Sequence, residues 1–210
     1  MTDLNEHHVR LLRAAAVVWA PVESGAPAVL YSPRLLEEED GVPYADVAAR
    51  AGLEIGSPPS EAQKRDVEAL LAGLPAAFVR FMELGRLEPG RYSYRNPLVG
   101  LPHSDYLVPS DRPGLARQAL VEFELTPELA KLLRHARWEA GSGGWLGLNP
   151  KRPYGDMTYF ELDMAEILGE PRVQDAAGHL SPDLEARLGG LHEDMQGALQ
   201  VFLQNARLEP

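Results

Sequence analysis

The sequence predicts a mainly α-helical protein built from two degenerate tandem helical repeats in a pseudo-twofold arrangement, with a short β-ribbon in the bridge between them. Three observations carry that prediction. Ser60 to Pro89 aligns without a gap on Ser181 to Pro210, an offset of 121 positions, and both stretches close on Arg-Leu-Glu-Pro. The same offset sets Leu4 on Leu125, Asn5 on Thr126 and Leu11-Leu12-Arg13 on Leu132-Leu133-Arg134, so the register at the start of each copy agrees with that at its end. An apolar stripe also recurs at helical spacing: Val67, Leu70, Leu74, Phe78 and Phe81, then Leu188, Leu191, Met195, Leu199 and Phe202. The chain divides into copy 1 (1–89), a bridging segment (90–124) and copy 2 (125–210). A unit of that size buries only about 60–65% of its unfolded surface, so two copies sharing apolar area as one globular unit are favoured over two beads.

The elements follow in order. Asn5 and Thr126, the latter followed by Pro127 and Glu128, are start signals for the first helix of each copy. Ala14 to Trp19 reads as the end of that helix rather than a signal peptide, being short and lacking a small-residue cleavage site. Glu37 to Asp40 reads as a solvated acidic loop, and Asp46 to Leu53 as at most a helical stub before Gly56 and Pro58-Pro59. The longest helix of each copy starts at Ser60, with Gln63 three residues on, and at Ser181, with Pro182 next. Pro75 removes a backbone donor and predicts a kink or break near Leu74. Gly189, Gly190 and Gly197 either allow close packing or are tolerated at exposed positions. In the bridge, Arg91 to Arg95 and Leu120 to Leu125 alternate as strands. In copy 2, Met157, Phe160, Met164, Ile167 and Leu168 share a helix face that stops at Gly169.

Composition narrows the function. With no cysteine there is no disulfide framework, thiolate metal site or catalytic thiol. No stretch approaches 18 apolar residues, so the expectation is a cytoplasmic chain without a membrane span. The net charge of −11 is spread over both copies and leaves no basic face, which disfavours general nucleic-acid binding.

Copy 2 resembles a group of uncharacterised bacterial proteins through Leu132-Leu133-Arg134, Asn149-Pro150-Lys151-Arg152-Pro153-Tyr154-Gly155-Asp156, Asp163-Met164-Ala165-Glu166-Ile167-Leu168-Gly169 and the closing Leu208-Glu209-Pro210. Single-copy members of the group carry Asn-Ser where Asp156 and Met157 stand. The resemblance implies no activity; it implies that the unit exists singly, as a homodimer that this chain has fused.

Candidate chemistry concentrates between Lys151 and Glu166. Lys151, Arg152, Tyr154 and Asp156 sit at a turn entering a helix, where an anion can be held, and Asp163 with Glu166 can share a divalent cation. The bland reading is stronger: Asp156 caps the helix, Asp163 is solvated and Tyr154 packs. His192, Glu193 and Asp194, with His103 and Asp105, match no zinc spacing, and Gly141-Ser142-Gly143-Gly144 is followed by neither Lys-Ser nor Lys-Thr. No metal or other cofactor is expected. Between the copies polar residues drift while apolar positions and caps persist, and of the polar constellations only Tyr44 with Asp46 and Tyr154 with Asp156 recur. The sequence therefore favours a non-catalytic protein-binding or regulatory module, a monomeric pseudo-dimer or homodimer with an unidentified protein partner. Its contact groove would be lined by Tyr92, Tyr94, Tyr106, Trp138 and Trp145. The alternatives are a divalent-metal-dependent hydrolase or transferase using Asp156, Asp163 and Glu166 on an anionic substrate, and a structural subunit of a larger assembly.

Overall fold

Helix α1 (Glu6–Ala14) forms where its cap predicts: the Asn5 side chain accepts the His8 backbone N–H at 2.8 Å, Glu6 lies in the first turn and Arg13 in the last. The computed structural model describes residues 4–19, 27–32, 41–101, 107–108, 112–136, 138–140, 146–148, 164–170 and 180–209. Within them the regular structure is mostly helical, with short strands, and no helix is long and apolar enough to cross a membrane.

The helix does not continue into Ala14 to Trp19 as the sequence suggested. Ala15 turns extended and β1 (Ala16–Trp19) follows, pairing antiparallel with β2 (Pro27–Leu30). Two valines and a tryptophan in succession fit a pleated surface buried on both sides better than a helix end. Val17 and Val29 enter the main core, while Ala16, Val18 and Leu30 face a second cluster with Leu98, Leu107, Val108 and Ala116 from the bridging segment. The equivalent step recurs later: α4 (Pro127–His135), capped by Thr126, leads into β6 (Trp138–Ala140), which pairs with β7 (Leu146–Leu148). The two hairpins join into one antiparallel sheet of order β1-β2-β7-β6, with Ala28 opposite Gly147 and Val29 opposite Leu146 at its centre.

Helix α2 (Tyr44–Ala51) has the length of the expected stub but starts and ends two residues earlier. It ends at Gly52, whose φ of 70° is the left-handed conformation that lets the Leu53 N–H return to the Ala48 carbonyl at 2.8 Å. The Ser60–Gln63 capping box opens α3 (Glu61–Leu84), which runs unbroken through Pro75. The break expected at Leu74 does not occur because Leu74, Ala77, Phe78 and Phe81 are fully buried around the proline and hold the helix in place. Residues 164–168 are helical (α5) and precede α6 (Pro182–Asn205), capped by Ser181.

Strands β4 (Gly90–Arg95) and β5 (Leu120–Leu125) form the antiparallel ribbon, in register from Gly90 opposite Leu125 to Arg95 opposite Leu120, with a 3-10 helix, Pro113–Arg117, before β5. Its inner face (Tyr92, Tyr94, Val121, Phe123, Leu125) lies on α6. A Cβ on Gly197 would stand 2.4 Å from Phe123 Cε2, so this glycine is what admits the ring; Gly189 and Gly190 meet nothing within 4 Å. Finally β3 (Gly85–Arg86) pairs with β8 (Arg207–Leu208), Arg86 opposite Arg207, beside an edge-to-face contact of Phe81 and Phe202 with ring centroids 6.3 Å apart. The main core cluster takes residues from α1, α2 and α3 and equally from α4, α5 and α6.

Candidate functional site

The described residues include only part of the sequence-predicted site. Tyr106, Trp145, Lys151, Arg152, Tyr154, Asp156 and Asp163 lie outside the described residues. Trp138 begins β6, opposite Leu148. Glu166 is exposed on α5. Tyr94, at 8% exposure, packs with Val121 and Val201 between ribbon and helix, and burial pushes its hydroxyl pKa up to about 12. Its ring therefore belongs to an internal interface. Tyr92 is half-buried, and its hydroxyl donates to the Glu88 carbonyl at 2.8 Å. Tyr44 and Asp46, the polar pair that recurs in copy 2, do not cap α2. Pro43 is the cap and makes no side-chain bond; Asp46 accepts from the buried Ser32 hydroxyl and from Arg50 Nε at 2.9 Å, while Arg50 Nη1 donates to the Ala14 carbonyl closing α1. The Tyr44 hydroxyl donates to Glu68 at 2.5 Å, and that bond raises its pKa.

The buried polar groups form a second constellation, one the sequence reading did not single out. On α6, Gln196, Gln200 and Gln204 stand four residues apart along one stripe. Gln200 Oε1 accepts the Val17 N–H at 2.8 Å and its Nε2 donates to the Ala15 carbonyl at 3.1 Å. Gln196 Nε2 donates to the carbonyls of Val17 at 2.8 Å and Leu107 at 2.9 Å. Gln204 brackets Arg95 in the same way, accepting its N–H at 2.9 Å and donating to its carbonyl at 2.8 Å. A side-chain amide carries the donor and acceptor of a peptide group, so the stripe stands in for a neighbouring strand along the outer edges of β1 and β4. A signal for it exists in the sequence: the positions aligned with these glutamines are Pro75, Val79 and Glu83, which cannot make such pairs.

His8 is buried against α3, its Nε2 3.3 Å from the Leu70 carbonyl and above Gly73, where an added Cβ would come within 3.0 Å of the ring. Burial lowers its pKa below 6.5. Tyr31, almost wholly buried, has its hydroxyl pKa raised by the same effect. Among the described residues no group of three or more His, Asp and Glu side chains has the arrangement to hold a metal ion.

Two surface features remain. Leu120 (58% exposed), opposite Arg95 at the end of the ribbon, and Val99 (42% exposed), in the turn that follows β4, are the exposed large hydrophobic side chains among the described residues. Where α3, α4 and β3 meet, a shallow cleft has walls of Met82, Leu87, Leu125, Ala130, Leu133 and Phe202, with Arg86 and Arg134 also lining it. Comparison of the chain with protein families, curated proteins and solved structures found no match.

Proposed function

We propose that the chain is a non-catalytic protein-binding or regulatory module made of two fused copies of one helical unit related by a pseudo-twofold axis. In a twofold pair, the residues that touch their own equivalents are those on the axis. Three contacts of that kind support the reading. Arg86 and Arg207, 121 positions apart, face each other in the β3–β8 pair, and Phe81 and Phe202, also 121 apart, meet edge to face. Ala28 pairs with Val18, and Gly147 with Glu139, which aligns with Val18; Ala28 and Gly147 are therefore equivalents, and they oppose each other at the sheet centre. The offset drops from 121 to 119 across the hairpins because the segment between β6 and β7 is two residues shorter than that between β1 and β2.

The observation that carries the binding function is the ribbon. Its inner face is sealed on α6 and its outer edge at Arg95 is occupied by Gln204, yet Leu120 at its end and Val99 in the turn after it are left to solvent. Two exposed large apolar side chains, Leu120 opposite Arg95 and Val99 in the turn that follows β4, suit a partner surface with an apolar anchor. Four of the buried polar side chains make structural contacts: Gln196, Gln200 and His8 meet backbone groups, and Ser32 meets Asp46. The test is affinity isolation from the native host with the tagged wild type and with Val99→Asp/Leu120→Asp. Mass spectrometry should find a stoichiometric protein with the wild type that the double variant loses. Recovery of a bound metal or anionic metabolite with no protein partner would overturn the proposal in favour of an enzyme.

A further inference from the structure

The two halves of the chain treat one site differently. Arg13, on α1, reaches across to the end of α6 and donates to the carbonyls of Gln204 at 3.3 Å and Ala206 at 3.1 Å. Its aligned counterpart is Arg134 on α4, and the carbonyls aligned with those of Gln204 and Ala206 belong to Glu83 and Gly85. Arg134 does not take them. Arg86 curls back from β3 instead, with Nη1 2.7 Å from both the Glu83 and the Gly85 carbonyl. Arg134 is left exposed, with no hydrogen bond or ion pair among the described residues.

The cleft lies where these two arginines meet the apolar wall. Its position in copy 1 holds Val9; in copy 2 the aligned residue is Ala130, one of the cleft's walls. A smaller side chain and an unbonded arginine thus distinguish this half from the other, where Val9 is the larger residue and Arg13 holds the two carbonyls. The enclosed space is about 10 Å³, room for one water-sized group. Arg134 keeps all its guanidinium donors for a ligand, whereas Arg86 has committed Nη1 to backbone and holds Nε 3.8 Å from Glu209.

The geometry points to a binding site for a short-chain carboxylate such as propionate, its terminal methyl against Met82, Leu133 and Phe202 and its carboxylate on Arg134, with Arg86 adding positive charge. A planar guanidinium grips a carboxylate through two parallel N–H bonds, and an apolar wall prefers a methyl group to a hydrated ion.

The experiment is a titration of the full chain with sodium propionate at constant ionic strength, following the Met82 ε-methyl resonance by ¹³C-edited NMR, with sodium phosphate and sodium chloride as separate probes. A saturable shift with propionate, lost in Arg134→Ala and in Ala130→Val while the remaining spectrum is unchanged, is the expected result. Arg134 is exposed and bonded to nothing among the described residues, so its alanine variant tests the site without disturbing the core. A linear response, a shift that persists in Arg134→Ala, or an equal shift with phosphate would each overturn the assignment.

Discussion

Replacing Gln200 with Leu tests the central claim that side-chain amides substitute for a missing strand. Gln200 is 2% exposed and makes two bonds to β1, at 2.8 Å from the Val17 N–H and 3.1 Å from the Ala15 carbonyl. Leucine keeps the volume but leaves both backbone groups buried without these partners, each costing about 1–3 kcal/mol, and the better-tolerated apolar side chain returns part of that. The net expectation is a loss of about 2–4 kcal/mol, a fall in Tm on the order of 6–12 °C for a chain of this size. Urea unfolding followed by far-UV circular dichroism gives the loss directly, provided the slope with denaturant is the same for both proteins. Gln204→Ala is the internal comparison: its bonds to Arg95 lie at the surface, where water replaces them, so it should cost less than about 1 kcal/mol. A Gln200→Leu loss under about 0.5 kcal/mol, or one smaller than that of Gln204→Ala, would mean that the amide does not stand in for a strand.

Gly197→Ala places a Cβ 2.4 Å from Phe123 and should cost about 1–3 kcal/mol by pushing the ribbon off α6, whereas Gly190→Ala meets open space and should gain about 0.5–1 kcal/mol of helix propensity; thermal melts of the two variants should move in opposite directions. His8 gives a pH dependence. Burial holds its folded pKa below 6.5, so the unfolded chain binds the extra proton, and stability present above pH 6.5 is lost as pH falls from there to the folded pKa. His8→Leu, which installs the residue type of the aligned Leu129, should flatten that part of the profile when urea midpoints at pH 7 and pH 5.5 are compared; an unchanged slope would remove His8 as the cause.

What the sequence determined by itself was local. Caps at Asn5, Ser60, Thr126 and Ser181 and the stripes through Phe81 and Phe202 mark helices because backbone capping and helical spacing act within a few residues. Alternation at Tyr92, Tyr94, Val121 and Phe123 marks the ribbon for the same reason. What the tertiary structure decided was pairing. Ala16 to Trp19 becomes a strand because β2 and a buried layer on each face are there to receive it, and Pro75 stays helical because Leu74, Ala77 and Phe78 are packed around it. The surroundings of the candidate residues were the least legible. Tyr94 reads as an exposed aromatic until Val201 closes over it, while Arg134 reads as one more surface charge until Arg86 takes the carbonyls that its counterpart Arg13 finds on the other side. Burial and partner choice depend on residues far apart in the chain, and no local pattern carries that information.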